Sequence, residues 1–198
     1  GNSSTKTIKT SIKPAASVTL DKASLTLDKG KSSVIFAKMG GGSGLTDFVS
    51  WKSSDSKIAS VSDGKVTAKG VGRATITAYT TGGKNVKCTV TVKGNIADAS
   101  VTAIKTQSYT GKAVSPAPAV TYGGKKLVKY TDYTVSYSKN TAIGQASVKI
   151  TGKGLYKGTK TVNFNIRPAT VTKLKVSSTG EKSVKLSWKK VTGADSYA

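Results

Sequence analysis

The sequence predicts an all-β protein of two tandem β-sandwich modules followed by the beginning of a third. Apolar and polar residues alternate along most segments, as in residues 74–79, and this period of two is typical of half-buried strands. Turn signals recur about every eight to twelve residues, which is the spacing of sandwich strands. No segment shows a convincing helical period. A chain of 198 residues is long enough for two modules of about 100 residues each.

The first module is predicted over residues 16–93, after an N-terminal linker at residues 1–15. Residues 17–38 read as short strands that are broken at residues 28–30, Asp-Lys-Gly. The pair Asp63-Gly64 separates two alternating segments, which predicts a two-residue hairpin turn. Residues 86–92 alternate with four apolar side chains directed inward, which predicts a strand with one buried face.

Two glycines in this module raise the possibility of a phosphate-binding loop. Gly70 and Gly72 lie in DGKVTAKGVGRATI, residues 63–76. A phosphate-binding loop must leave a strand and open a helix, so that its N–H groups point at the phosphate. The residues after Gly72 alternate as a strand instead. We therefore expect these glycines to shape a strand-to-strand connection.

The second module is predicted over residues 94–167 and the third over residues 168–198. Pro116 and Pro118 exclude a central strand at their positions, and Gly123-Gly124 predicts another hairpin. The last segment is too short to supply an opposing sheet for its own apolar residues. We expect it to fray, or to pack on the second module or on a neighbouring chain.

Particular stretches resemble known families. Residues 17–92 closely resemble a bacterial Ig-like domain of group 2, through the stretches LTLDKG, VSWKSSDSKIASVSDGKVTAKGVGRATITA and KCTVTV. One departure is the stretch MGGGSGLTD at residues 39–47, which is longer than the usual connection of that family. Residues 98–166 resemble a second Ig-like repeat of Gram-positive surface proteins, through the stretches YTGKAVSPAPAVTYGGKKL, DYTVSYSKN and IGQASVKITGKGLYKGTKTVNFNI. SVKLSWKKVTGADSY resembles the start of a fibronectin type III domain. These resemblances imply tandem Ig-like β-sandwich modules, a truncated third module and no catalytic module.

The charge of the chain bears on its partners. Lys and Arg outnumber Asp and Glu by 32 to 9, giving a net charge of +23, and only Arg73 and Arg167 are arginines. A sequence-specific nucleic-acid reader relies on arginine and concentrates its charge on one element, whereas these lysines recur along nearly every segment. We expect no specific nucleic-acid binding. We expect weak attraction to an anionic cell-wall polymer or to a host surface glycan or protein.

Nucleophilic and aromatic candidates are better explained by packing. Cys88 could act as a nucleophile, but the chain has no histidine to serve as its base, and the residue lies on the inward face of a strand. We expect a core residue. Trp51 and Trp188 could stack on sugars, yet each shares a strand face with apolar residues, so we expect both in sandwich cores. Truncation of its module would leave Trp188 partly exposed.

The remaining candidates are carboxylates, tyrosines and one loop. We expect Asp47, Asp55 and Asp63 to serve turns rather than a glycosidase pair or a calcium site. Tyr133 and Tyr137 share the face of Val135 and are expected in the core, whereas Tyr130 lies outside that register and is expected at the surface, where it could contact a glycan or protein. The glycine-rich stretch at residues 39–47 is the best candidate for a mobile binding tip.

Together these observations predict a non-catalytic structural and adhesion segment. The resemblances imply a secreted or wall-attached, extracellular bacterial surface protein. We expect this segment to be a monomeric spacer and binding module without cofactor, metal ligands or catalytic residues. No apolar run approaches the roughly 18 residues needed to cross a bilayer, so we expect no membrane insertion here. The alternative is an accessory module of a larger carbohydrate- or wall-degrading surface enzyme whose catalytic domain lies elsewhere.

Overall fold

A computed structural model describes residues 13–197, so most of the predicted linker at residues 1–15 lies outside the described residues. The chain divides into two compact units, residues 1–94 and 95–198. Both are built of β-strands, and the described residues contain one helical turn, a 3-10 turn at Ile96–Asp98. The predicted fold class, all-β with Ig-like β-sandwich modules, is confirmed.

Nine strands begin in the first unit. They are β1 (Ser17–Leu20), β2 (Ser24–Asp28), β3 (Ser32–Val34), β4 (Ala37–Gly40), β5 (Val49–Ser53), β6 (Ala59–Ser62), β7 (Lys65–Ala68), β8 (Gly72–Thr80) and β9 (Asn85–Asn95). One sheet places β9, β8 and β5 side by side, with β2 parallel to β9. A second sheet has the order β3-β7-β6, and β1 pairs with β4.

The core of the first unit lies between these sheets. Its buried members come from both layers: Ile35, Ala59, Val66, Ala68, Ala74, Ile76, Cys88, Val90 and Val92. The strand period explains this selection, because alternate residues of β8 and β9 point to opposite faces of the sheet. The inward face predicted for residues 86–92 is therefore confirmed from Cys88 to Val92, while Val86 is half-buried.

The predicted turns of the first unit are present. Asp63 and Gly64 both have positive φ, +48° and +77°, and join β6 to β7 with Ser62 opposite Lys65. This is the backbone geometry of a primed two-residue hairpin turn, for which Asp-Gly is preferred. Gly70 and Gly72 connect β7 to β8, and no helix follows them. A Cβ at Gly70 would lie 2.7 Å from the Lys57 carbonyl oxygen, so this glycine permits a close backbone approach.

The second unit contains ten further strands. They are β10 (Ser100–Val101), β11 (Gln107–Ser108), β12 (Val120–Tyr122), β13 (Lys125–Lys126), β14 (Tyr133–Ser138), β15 (Gly144–Gly152), β16 (Tyr156–Lys157), β17 (Thr159–Arg167), β18 (Lys175–Gly180) and β19 (Ser183–Ser187). One sheet has the order β11-β17-β15-β14, with β11 parallel to β17, and another has the order β10-β12-β13. Pro116 and Pro118 lie outside strands, and Gly123-Gly124 forms the hairpin of β12 and β13, as predicted.

Alternate residues of the long strands form the core of the second unit. Ala146, Val148 and Ile150 of β15 are buried, as are Phe164 and Ile166 of β17. Tyr122 packs edge-on against Tyr156, with ring centroids 5.2 Å apart. The Lys160 ammonium group donates to the carbonyl oxygens of Ala97 and Ala99 at 3.0 and 2.6 Å, which fixes the 3-10 turn against β17.

Residues 168–197 form an exposed hairpin followed by a short packed segment. Strands β18 and β19 pair with each other, and every side chain of β19 is exposed. Val191 is buried, and a Cβ at Gly193 would lie 2.5 Å from the Tyr109 ring and 2.8 Å from Ile143. Contact with the second module is therefore made after the hairpin. The boundary at residue 168 and the identity of the third module stay predictions.

Candidate functional site

The only cysteine lies in the core of the first unit. Cys88 is fully buried on β9, and this burial raises the pKa of its thiol. A buried thiol with a raised pKa stays protonated and is a poor nucleophile. The prediction of a core residue is confirmed.

Asp47 does more than serve a turn. Its carboxylate is 5% exposed and accepts hydrogen bonds from the backbone N–H groups of Ala15 (2.9 Å), Phe48 (3.0 Å) and Gly82 (3.0 Å). The bond from Ala15 first, then those from Gly82 and from the Thr81 and Thr80 side chains, hold the pKa of this carboxyl group well below its usual range. Asp47 thus ties three chain segments together: the residues before β1, the start of β5 and the turn between β8 and β9. The local sequence around Asp47 does not reveal this role, because two of the three donors are more than thirty residues away.

The other two carboxylates serve turns, as predicted. Asp55 Oδ1 accepts the Lys57 N–H at 2.9 Å, and the Asp55 carbonyl oxygen accepts from Ile58 and Ala59. Asp63 occupies the first position of its hairpin turn. Across residues 13–197, no three His, Cys, Asp or Glu side chains gather as a metal site would require.

The two tryptophans have different environments. Trp51 is half-buried and packs against the core of the first unit, as predicted. Trp188 does not lie in a sandwich core: its side chain is 38% exposed, as expected from the truncation of its module, and its ring lies 5.0 Å from that of Tyr197. The reason is local, because the β18–β19 hairpin has no opposing sheet in the described structure.

The tyrosines of the second unit follow the predicted pattern. Tyr133 is buried, and Tyr137 is half-buried with its hydroxyl donating to the Pro116 carbonyl oxygen at 2.6 Å. Tyr130 is 67% exposed, and the Lys129 ammonium group lies 5.0 Å from the centre of its ring. Contact of Tyr130 with a glycan or protein stays a prediction.

The glycine-rich stretch at residues 39–47 is not a free tip. Met39 and Gly40 belong to β4 and pair with β1. The Lys13 ammonium group donates to the Ser43 carbonyl oxygen at 2.7 Å, and the Lys13 N–H donates to Thr46 Oγ1 at 2.8 Å. These bonds come from residues far away in sequence, and the mobility and binding expected of this stretch stay predictions.

Lysine side chains cover the outward faces of the strands. In the first unit Lys38, Lys52, Lys65 and Lys87 are exposed on four different strands, and in the second unit Lys125, Lys126 and Lys149 are exposed. The one ion pair whose geometry is resolved among the described residues joins Lys22 to Asp21 at 3.0 Å. The positive charge is therefore distributed over strand faces. Among the described residues no helix is long or apolar enough to cross a membrane.

Several solved structures are similar to this chain. Domains 5-6 of the S-layer protein SbsC are 18% identical, with 77% of this chain and 98% of that chain covered and a TM-score of 0.36. The titin domains z1z2, solved in complex with telethonin, are 19% identical (81% and 100% covered, TM-score 0.28). The fibronectin(III)-like modules of Clostridium thermocellum CbhA are 14% identical (76% and 94% covered, TM-score 0.29). These likenesses carry no functional argument.

A family comparison identifies part of the chain. No curated protein matches it. The resemblances proposed for the second repeat and for the fibronectin type III start stay predictions. Residues 14–92 match the family model of the bacterial Ig-like domain (group 2), in agreement with the strands, hairpin turn and core of the first unit.

Proposed function

We propose that this chain is a non-catalytic spacer and adhesion segment of a secreted or wall-attached bacterial surface protein. The observation that carries the proposal is the distribution of side chains over the two faces of the strands. The inward faces of the strands are filled by core residues, and exposed lysines lie on the outward faces of several strands. The match of residues 14–92 to the bacterial Ig-like family supports a surface location.

The charge supports attraction to an anionic polymer of the cell wall. A net charge of +23 exceeds the magnitude of about 2 to 8 that suffices for the solubility of a small domain. Lysine ammonium groups act as point charges and attract phosphate without demanding a fixed geometry. Mutual repulsion that keeps tandem modules apart and unaggregated is the competing explanation of the same charge.

Retention on purified Gram-positive cell walls at low and high salt tests the proposal. We expect retention at low salt that weakens steeply as salt rises, because exposed charges are screened within about 8 Å at physiological ionic strength. No retention even at low salt would favour mutual repulsion as the reason for the charge.

The non-catalytic character can be tested separately. The described residues combine an inert thiol with carboxylates that hold turns and backbone N–H groups. We expect glycosidase, esterase and peptidase substrates to stay at background. Turnover that disappears when one residue of this chain is substituted would contradict the proposal. An accessory role beside a catalytic domain would be supported by a catalytic domain in the full-length gene, and adhesion by further modules of the present kind.

A further inference from the structure

The outward face of β5, β8 and β9 carries an open recess of about 400 Å³. We call it the outer recess; its lining residues are Lys52, Ser53, Ser54, Thr75, Thr77, Tyr79 and Lys87. Its volume lies within the range of about 300 to 1,000 Å³ that is usual for ligand sites. Because three hydrogen-bonded strands form its floor, its groups are positioned more firmly than groups on a loop.

Strand register brings two lysines to either side of one threonine. Lys52 of β5 is opposite Thr77 of β8, and Thr77 is opposite Lys87 of β9. Directly opposed residues point to the same face of a sheet. With neighbouring strands about 4.8 Å apart, the backbones of the two lysines are separated by about 10 Å. Their flexible stems can therefore bring both ammonium groups to one ligand group above Thr77.

The hydroxyl group of Thr77 has no partner in the described part of the chain. The residue is 7% exposed, and its side chain forms no hydrogen bond with residues 13–197. In the same residues, no side-chain nitrogen or oxygen is both fully buried and without a partner. The Thr77 hydroxyl must therefore be accessible from the outer recess. Because this hydroxyl is accessible and has no protein partner, it can donate to a ligand acceptor in exchange for water, which gives a modest net gain.

The charges of the outer recess are also uncompensated. Neither Lys52 nor Lys87 forms an ion pair with a carboxylate of the described residues. Two ammonium groups and a hydroxyl donor present a positive, donor-rich site, which is suited to an oxyanion. The two lysine charges therefore favour a negatively charged ligand. The hydroxyl group of Thr77, which lies between them, fixes the position of the oxyanion.

The rest of the lining suits a polyhydroxylated chain. Tyr79 lies two residues beyond Thr77 on the same face and is 39% exposed, so its ring can lie against a sugar or polyol. Ser54 Oγ accepts the Thr75 N–H at 2.8 Å, which leaves its O–H free to donate. Hydroxyl groups and an aromatic ring thus extend from the oxyanion position along β8.

We propose that the outer recess binds an oxyanion carried on a polyhydroxylated chain. The oxyanion lies above Thr77 between Lys52 and Lys87, and the adjoining sugar or polyol lies against Tyr79. This inference rests on the proposed attachment to anionic polymers and gives that attachment a defined place in the first unit.

Binding of poly(glycerol phosphate) and of polygalacturonate to the full chain, measured by calorimetry at low salt, tests the inference. Two double variants remove the same charge from the first unit: K52Q/K87Q within the recess and K38Q/K65Q outside it. We expect K52Q/K87Q to weaken binding about tenfold more than K38Q/K65Q. The isosteric variant T77V is expected to weaken binding about threefold with no change in net charge. Thermal unfolding checks that each variant is folded.

The outcomes separate this inference from the proposed function. The expected residue dependence with both polymers supports a site for the oxyanion; the same dependence with one polymer supports the site and identifies phosphate or carboxylate as its source. Equal losses of polymer affinity in the two double variants, with T77V binding like the unchanged chain, would contradict binding in the outer recess. Such a result would still agree with diffuse attraction between charges. No binding of either polymer at low salt would overturn both.

Discussion

At the scale of single residues, buried polar contacts and special backbone positions hold the first unit together. Asp47 is the clearest case, because one carboxylate accepts backbone N–H groups from three segments. The type of residue at position 47 was compatible with this role, but its donors could not be predicted. Local sequence patterns do not report contacts between residues 15, 47 and 82. The role of Asp63 could be predicted because it depends only on the immediate neighbour Gly64.

Replacing Asp47 by Asn is expected to lower the thermal unfolding midpoint by several degrees. The substitution keeps the shape and removes the charge that strengthens the hydrogen bonds from Ala15, Phe48 and Gly82. The matched control is D63N, because Asn tolerates the left-handed backbone of that turn position as well as Asp does. Equal midpoints for D47N and D63N would contradict the role given to Asp47.

The same carboxylate predicts a pH dependence of stability. Its pKa is lowered in the folded chain, so the stability it contributes is complete above the unfolded value of about 3.9. That contribution is lost as the pH falls from this value toward the lower folded pKa. The difference in stability between the unchanged chain and D47N should therefore be constant from neutral pH down to about pH 5 and shrink below about pH 4. Denaturant unfolding of the unchanged chain and of D47N, repeated at several pH values across this range, measures the difference in their free energies of unfolding.

Gly64 is expected to tolerate alanine much less than Gly83 does. Both have positive φ, +77° and +87°, so alanine costs about 1–2 kcal/mol at either position. A Cβ at Gly64 would in addition collide with the Ile35 carbonyl oxygen and lie 3.3 Å from Trp51, whereas a Cβ at Gly83 meets no atom within 4 Å. Chemical denaturation measures the free energy of unfolding of G64A and G83A. The difference between the two variants reports the steric contact with Ile35 and Trp51. Equal destabilisation would show that the turn can move away from Ile35.

At the scale of elements, strands and short turns were predictable, but their long-range partners were not. The alternation in β8, β9 and β15 identifies their inward faces because the period of a strand is local. The parallel pairings of β2 with β9 and of β11 with β17 join residues far apart in sequence, and nothing in the local period specifies them. The partial exposure of Trp188 could be expected from the short length of its module, since burial of a strand face depends on the sheet opposite it.

A peptide of residues 168–198 is expected not to fold by itself. Two paired strands are at best marginally stable in water, and every side chain of β19 is exposed in the full chain. We expect narrow amide dispersion in its NMR spectrum and no cooperative thermal transition. A well-dispersed spectrum from the monomeric peptide would contradict this prediction.

At the scale of the whole molecule, the main surface feature is a positive charge that is distributed over strand faces. The two units differ in strand order but share this use of lysine. Composition alone predicted the attraction to anions, because net charge is additive over the chain. The outer recess could not be predicted in this way, since it requires the register that places Thr77 between Lys52 and Lys87.

The most direct test compares retention of the full chain on intact Gram-positive walls with retention on the same walls chemically stripped of phosphate polymers. Both are measured at low salt, with high salt as the control for screening. We expect strong retention on intact walls, loss of that retention at high salt and little retention on stripped walls. Equal retention on intact and stripped walls, or none on intact walls at low salt, would contradict attachment through anionic wall polymers.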